Sequence, residues 1–134
     1  LLRGAPEPQT PTLVRVHMLN PLADALHWRR ADFGPAVGEV LKTIADAGRG
    51  ALVLLGEAQD ADALLARIRE QPESPSSRGQ ALAEWRRTGA GSQILADLGL
   101  GKLRVLGTPR KQIGLAGFGL EVVEHVEPGA RDPE

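Results

Sequence analysis

The groups best suited to bind an anion lie between residues 86 and 111. Gly89 and Gly91 form a glycine-rich turn before a short helix, where free N–H groups and the helix dipole favour a phosphate. The guanidinium of Arg86 precedes this turn and the ammonium of Lys111 follows it, and both are charge-assisted donors. The glycine-rich turn therefore predicts an anion site. A glycine pair is also common in ordinary turns, so both interpretations stay open.

A second group of polar residues follows the first predicted strand, and its members are possible metal ligands. His17 ends that strand, and Asp24, His27 and Asp32 come after it. Their spacing matches no ligand pattern, and one imidazole needs partners to hold a metal, so a polar residue at a strand edge is the alternative for His17. The chain contains no cysteine, which excludes disulfides and thiolate metal sites.

Composition places the chain among globular proteins with one core. Its 134 residues are 42% hydrophobic and 25% charged, which suits a single domain. Sixteen basic and seventeen acidic residues leave a net charge of −1, so no attraction to nucleic acid or to an anionic membrane is expected. No apolar run approaches the roughly 20 residues of a membrane span, and the N-terminal residues lack a signal-peptide pattern. We expect a cytoplasmic protein.

Hydrophobic periodicity predicts an α/β fold in which strands and helices alternate around a largely parallel or mixed sheet. The expected helices are amphipathic: one begins near Pro35 and ends before Gly48, one carries the stripe Ala61, Leu64, Leu65 and Ile68, and one carries Ile94, Leu95 and Leu98 and stops at Gly99. The four expected strands cover residues 13–17, 50–56, 102–106 and 119–126.

Breaker-rich segments set the expected domain limits. Residues 1–12 contain three prolines and predict a linker, residues 13–127 form the domain, and residues 128–134 form a polar tail.

Four segments carry a resemblance to a known family. Residues 89–99, 102–106, 109–111 and 117–124 closely resemble, in order and spacing, the C-terminal half of GTP cyclohydrolase II. That enzyme opens riboflavin biosynthesis, and in many bacteria it is fused behind 3,4-dihydroxy-2-butanone-4-phosphate synthase. The resemblance therefore implies a GTP cyclohydrolase II-like fold and a preceding synthase domain as partner. The N-terminal strands of the family domain have no counterpart in this sequence, so the resemblance also implies an exposed sheet edge, and such edges tend to pair with another chain. We therefore expect a homodimer.

The resemblance also implies a zinc site that this sequence lacks. In the family, three zinc-binding cysteines follow the first strand, and alignment through Val14–His17 and Gly34–Pro35 places Asn20, Ala31 and Phe33 at those positions. Zinc in that enzyme would activate the water that opens the guanine imidazole ring, a task that needs three firm ligands. We expect that this chain carries no metal cofactor.

The remaining family site is only partly present. The catalytic Asp-x-Arg of the family, acid–base and nucleophile, corresponds to Glu84 and Arg86, which would also fit an ordinary surface ion pair. The nucleotide-contacting Thr and Lys correspond to Thr108 and Lys111. An arginine-rich turn that contacts the triphosphate is replaced by the acidic segment 57–62, which repels phosphate.

Two functions follow from this comparison. The preferred hypothesis is a degenerate GTP cyclohydrolase II-like domain with an assembly or regulatory role beside the synthase, which binds GTP or another phosphate ligand at most weakly. The alternative is an active enzyme that converts GTP to a diaminopyrimidine phosphate, formate and pyrophosphate with a rearranged metal site.

Overall fold

A computed structural model describes residues 1–30, 34–56, 60–69, 89–107 and 115–127. Its strands are β1 (Leu2–Arg3), β2 (Thr12–Met18), β3 (Gly50–Leu55), β4 (Lys102–Leu106) and β5 (Glu121–Val126). Its helices are α1 (Pro21–Asp24), α2 (Val37–Ala47), α3 (Ala61–Arg69) and α4, which covers residues 89–97 of the described chain. A 3₁₀ turn spans Leu115–Phe118.

The five strands form one mixed sheet in the order β1-β3-β2-β4-β5. The pairs β2–β3, β2–β4 and β4–β5 are parallel, and only β1 runs antiparallel to its neighbour β3. The predicted α/β fold with a largely parallel or mixed sheet is therefore confirmed. Because the carboxyl ends of β2, β3, β4 and β5 share one edge, that edge is where a site is expected in such a sheet.

Helices cover both faces of the sheet and create two core clusters. Neighbouring residues of a strand point to opposite faces, so Val14 of β2 packs with Leu95 of α4, whereas Leu13 packs with Val40 and Ile44 of α2. Val40 is fully buried, as the amphipathic pattern predicts. This two-sided burial explains why the parallel strands are rich in aliphatic residues.

Helix α2 ends where the sequence predicts. Gly48 adopts a left-handed conformation with φ of 77°, and its N–H donates to the carbonyl of Ala45. Gly99 ends the α4 segment in the same way, with φ of 84°. Glycine reaches these angles without the steric cost that a side chain would add.

The first twelve residues contribute to the sheet. Leu2 pairs with Ala51, and the Lys102 N–H donates to the carbonyl of Pro8 over 3.0 Å. Strand β1 is thus the one strand of the described sheet that the sequence pattern did not predict. The boundary between a linker at 1–12 and a domain at 13–127 stays a prediction, and the predicted tail at 128–134 lies outside the described residues.

The outermost long strand is β5. In the described part of the chain it pairs on one side only, with β4. Its carboxylates Glu121 and Glu124 are exposed, and Glu124 accepts a hydrogen bond from Arg104 over 2.8 Å. None of the described helices has the length and apolar content that a membrane crossing requires.

Candidate functional site

Most of the predicted catalytic and nucleotide-contacting residues lie outside the described part of the chain. Glu84, Arg86, Thr108 and Lys111 all belong to segments that the structure does not describe. Their roles stay predictions. The described residues nearest to them in sequence are Gly89 and the residues at the carboxyl end of β4.

Gly89 and Gly91 are helical, so the expectation that they form a turn before the helix is wrong. Gly91 is buried, and a Cβ on it would come within 2.7 Å of Cγ1 and 2.8 Å of Cγ2 of Val16. Gly91 therefore allows α4 to lie directly on β2. The residues before Gly89 lie outside the described part of the chain, so phosphate binding by Gly89 and Gly91 stays a prediction.

A basic side chain from β2, that of Arg15, reaches the carboxyl end of β4. The sequence pattern did not predict this residue. Arg15 of β2 donates from Nη1 to the carbonyl of Leu106 over 3.0 Å. The same nitrogen lies 2.6 Å from where a Cβ on Gly107 would sit, and Gly107 has φ of 133°. Arg15 thus reaches the point at which the chain continues to Thr108. Arg15 is the central residue of a parallel strand, and its long side chain lets the guanidinium reach this edge.

A buried carboxylate organises the segment that follows β2. Nε2 of His17 lies 3.0 Å from Oδ2 of Asp24, and the two side chains are only 4% and 9% exposed. The Asn20 N–H donates to Oδ2 and the Val37 N–H donates to Oδ1, each over 2.9 Å. We name these four residues the Asp24 junction. It joins the end of β2, the start of α1 and the start of α2.

The charge of Asp24 follows from these contacts. Burial by itself would raise the pKa of Asp24, but the hydrogen bonds from the Asn20 N–H, the His17 ring and the Val37 N–H outweigh it and hold the pKa below its usual value. Asp24 is therefore an acceptor-only carboxylate at neutral pH, and Nε2 of His17 must carry the proton of their hydrogen bond. The expectation of His17 as an edge residue is wrong, because its ring is buried.

Asn20 stands at the position that the resemblance assigns to the first zinc cysteine, and it acts as a helix cap. Its Oδ1 accepts a hydrogen bond from the Leu22 N–H over 3.2 Å, and Pro21 occupies the first helical position. Asn20 is 6% exposed, and within the described residues its Nδ2 is buried without a hydrogen-bond partner.

The residues present do not fit a zinc ion. The side chains of Ala31 and Phe33 offer no ligand atom, and the Asn20 oxygen already accepts a backbone hydrogen bond. Within residues 1–30, 34–56, 60–69, 89–107 and 115–127, no three His, Cys, Asp or Glu side chains are grouped as metal ligands. His27, considered above as a substitute ligand, is exposed and has φ of 56°.

The acidic segment before α3 also has a structural role. Oδ1 of Asp60 accepts a hydrogen bond from the Ala63 N–H over 2.9 Å, as an N-terminal cap does. Asp60 and Asp62 are both exposed, and an acid in the first helical turn interacts favourably with the dipole. Residues 57–59 of this segment lie outside the described residues.

Comparison with known protein families identifies the fold. The family described as GTP cyclohydrolase II matches residues 1–127. The chain belongs to this family. The resemblance of residues 89–124 to GTP cyclohydrolase II is therefore confirmed, and the match extends over the Asp24 junction as well.

Relatives of this GTP cyclohydrolase II-family chain are named as synthases or as riboflavin biosynthesis proteins. The 3,4-dihydroxy-2-butanone 4-phosphate synthase of Pseudomonas aeruginosa is 41% identical over 118 residues, which cover 88% of this chain and 32% of the relative. The synthase of Neisseria meningitidis serogroup A is 38% identical over 92% of this chain and 32% of its own length. Riboflavin biosynthesis protein RibBA of Bacillus cytotoxicus is 37% identical over 94% of this chain and 34% of its own length. The chain spans about a third of the length of these curated relatives.

Proposed function

We propose that this chain is a GTP cyclohydrolase II-like domain that does not hydrolyse GTP and that serves assembly or regulation beside a 3,4-dihydroxy-2-butanone 4-phosphate synthase. The observation that carries the proposal is the state of Asn20. It is buried at the position of a zinc cysteine, and its oxygen caps α1 instead of facing a metal.

The chemistry of the reaction supports this proposal. Opening the guanine imidazole ring requires an activated water, which a metal supplies when three protein ligands hold it and a fourth position is open. A cap at position 20 and apolar side chains at 31 and 33 provide no such set. Without it, Glu84 and Arg86 would be vestigial.

The names of the relatives support the proposal that this domain lies beside a synthase domain. Two of the relatives described above are named as synthases, and in each the region similar to this chain is about a third of the protein. We therefore propose that a synthase domain is its partner, that the assembly is a homodimer, and that it lies in the cytoplasm. Among the described residues β5 pairs only with β4, and its other side is a surface where a second chain could extend the sheet.

Weak binding of a phosphate ligand such as GTP is part of the same proposal. Arg86, the Gly89–Ser92 segment and Lys111 would supply the donors. The acids at positions 57, 60 and 62 oppose phosphate where the family has arginines. Replacing Arg86 or Lys111 by Ala should abolish any measurable binding of GTP or pyrophosphate, and added salt should weaken it by screening.

Metal analysis combined with a GTP turnover assay tests the proposal. The purified protein is expected to carry no stoichiometric zinc and to release no formate from GTP. The matched variant is the triple replacement Asn20→Cys, Ala31→Cys and Phe33→Cys, which restores the three thiolates of the family. We expect it to bind about one zinc per chain, because three thiolates and a water make a tetrahedral site.

The alternative function has a clear outcome in the same assay. One tightly bound zinc per unmodified chain, with formate released at micromolar GTP, would establish an active cyclohydrolase with a rearranged metal site. The thermal midpoint offers an independent check, because a ligand that binds only the folded state raises it. Added zinc should therefore raise the midpoint of the triple variant and leave that of the unmodified chain unchanged.

A further inference from the structure

The segment between β2 and α2 needs a contact that holds its short helix in place. In the described part it contains a four-residue helix, α1, and several exposed residues, including Leu26 at 71% exposure. A helix of one turn is not stable by itself, since nucleation costs more than one turn of hydrogen bonds returns. A metal bound by three residues of this segment would hold it in place. In this chain some other contact has to do so.

The Asp24 junction supplies that contact. One carboxylate group takes hydrogen bonds from three parts of the chain: the His17 ring, the Asn20 N–H and the Val37 N–H. The Val37 N–H belongs to the first turn of α2, where no helical carbonyl can accept it, and Ala36 offers no side-chain cap. Asp24 is therefore both the anchor of α1 and the cap of α2.

In the described part of the chain, no Lys or Arg side chain is among the hydrogen-bond partners of this carboxylate. Its recorded partners are the His17 ring on β2 and the backbone N–H groups of Asn20 and Val37. The first two charged residues along α2 are paired elsewhere, Glu39 with Arg29 and Lys42 with Asp46. The carboxylate is thus committed to the junction, and a hydrogen bond to a charged, buried acceptor is among the stronger kinds.

We propose that the Asp24 junction is the device that holds α1 and the start of α2 against the carboxyl end of β2, in place of the metal that organises this segment in the family. The proposal rests on the proposed function, because it assumes that no zinc is bound. It assigns to Asp24 a role that persists without catalysis. The family fold can then be kept by a chain that has lost its thiolates.

Amide hydrogen exchange of the Asp24→Asn variant tests the junction. An Asn side chain has a single oxygen, so it cannot accept from both Asn20 and Val37 in the present geometry. We expect at least one of the Asn20 and Val37 amides to exchange at least about tenfold faster in the variant, as the loss of a charged hydrogen bond implies. The amide of Val14, in the middle of β2, should exchange at its original rate. The fluorescence of Trp28 in a Trp85→Phe background should report the same local opening.

Asp46→Asn is the matched control. Asp46 is a carboxylate of α2 that pairs with Lys42 at the surface and is 68% exposed, so its loss removes the same charge without touching the junction. In the Asp46→Asn variant, the Asn20 and Val37 amides should exchange at the same rates as in the unmodified chain. If Asp24→Asn does not fold, His17→Gln takes its place. It keeps both backbone hydrogen bonds and should raise exchange at Asn20 and Val37 by a smaller factor.

Unchanged exchange of both amides in the folded variant would overturn the proposal, as would equal acceleration in Asp24→Asn and Asp46→Asn. Metal analysis of the same samples separates this failure from failure of the proposed function. Stoichiometric zinc in the unmodified protein refutes the proposed function and with it the replacement of a metal. A metal-free protein with unchanged exchange refutes the junction alone.

Discussion

Replacing Gly91 by Ala is the most direct test of the contact between α4 and β2. The added Cβ would lie 2.7 and 2.8 Å from the two methyl groups of Val16, whereas carbon atoms are ordinarily in contact at about 3.5–4.0 Å. Rotating the Val16 side chain gives no relief, because both branches of a β-branched residue are involved. The helix must therefore move away from the strand by about 1 Å, a distance that follows from the ordinary contact range.

The expected change in the free energy of unfolding of Gly91→Ala follows from two opposing effects. Overpacking of this kind costs about 1–3 kcal/mol, and the absence of a flexible side-chain response favours the upper end. Alanine is favoured over glycine in a helix by about 1 kcal/mol. We expect Gly91→Ala to lower the free energy of unfolding by about 2 kcal/mol, which is the difference between these two effects.

Gly89→Ala is the matched control on the same helix. In the described part of the chain nothing lies within 4 Å of a Cβ at this position, so only the gain in helix propensity remains. We expect this variant to be as stable as the unmodified chain or up to about 1 kcal/mol more stable.

Urea denaturation followed by circular dichroism measures both variants. A gap of roughly 2–3 kcal/mol between them is expected, from the same overpacking and propensity values. Equal stability of the two variants would show that α4 does not approach β2 at Gly91, and the explanation of this glycine by packing would be wrong.

Three further outcomes are expected. Because the folded pKa of Asp24 is lowered, its carboxylate stabilises the fold above the unfolded pKa of about 3.9, and this contribution is lost as pH falls through the lower folded value. Urea titrations from pH 7 to pH 2 should therefore show a shallower acid loss in Asp24→Asn, and an identical acid profile would refute this. Gly107→Ala should lower the thermal midpoint, because φ of 133° strains a side chain and the new Cβ meets Arg15, at a cost of about 1–3 kcal/mol. Asn20→Ala should cost about 1 kcal/mol of unfolding free energy by removing the cap of α1, whereas a cost near zero would mean that the cap is not formed in solution.

The regular elements follow from local sequence. Alternation of apolar residues predicted β2, and a stripe of apolar residues at helical spacing predicted α2, since these patterns report which side of an element is buried. Gly48 and Gly99 marked helix ends, because few other residues adopt left-handed angles. The lack of cysteine is likewise a property of composition alone.

Contacts between distant residues required the tertiary structure. Strand β1 is two residues long and exists through pairing with β3, so no periodicity could reveal it. Gly91 looks like a turn residue in sequence, but it lies in a helix whose approach to Val16 requires a residue without a side chain.

Within the Asp24 junction, one feature follows from local sequence and another depends on the tertiary structure. The pair Asn20–Pro21 is a local pattern for a helix start and could have been recognised from sequence. The role of Asp24 could not, because its partners are 4, 7 and 13 residues away and belong to different elements. Local patterns specify which backbone groups need partners, and only the packing of strands and helices decides which side chain reaches them.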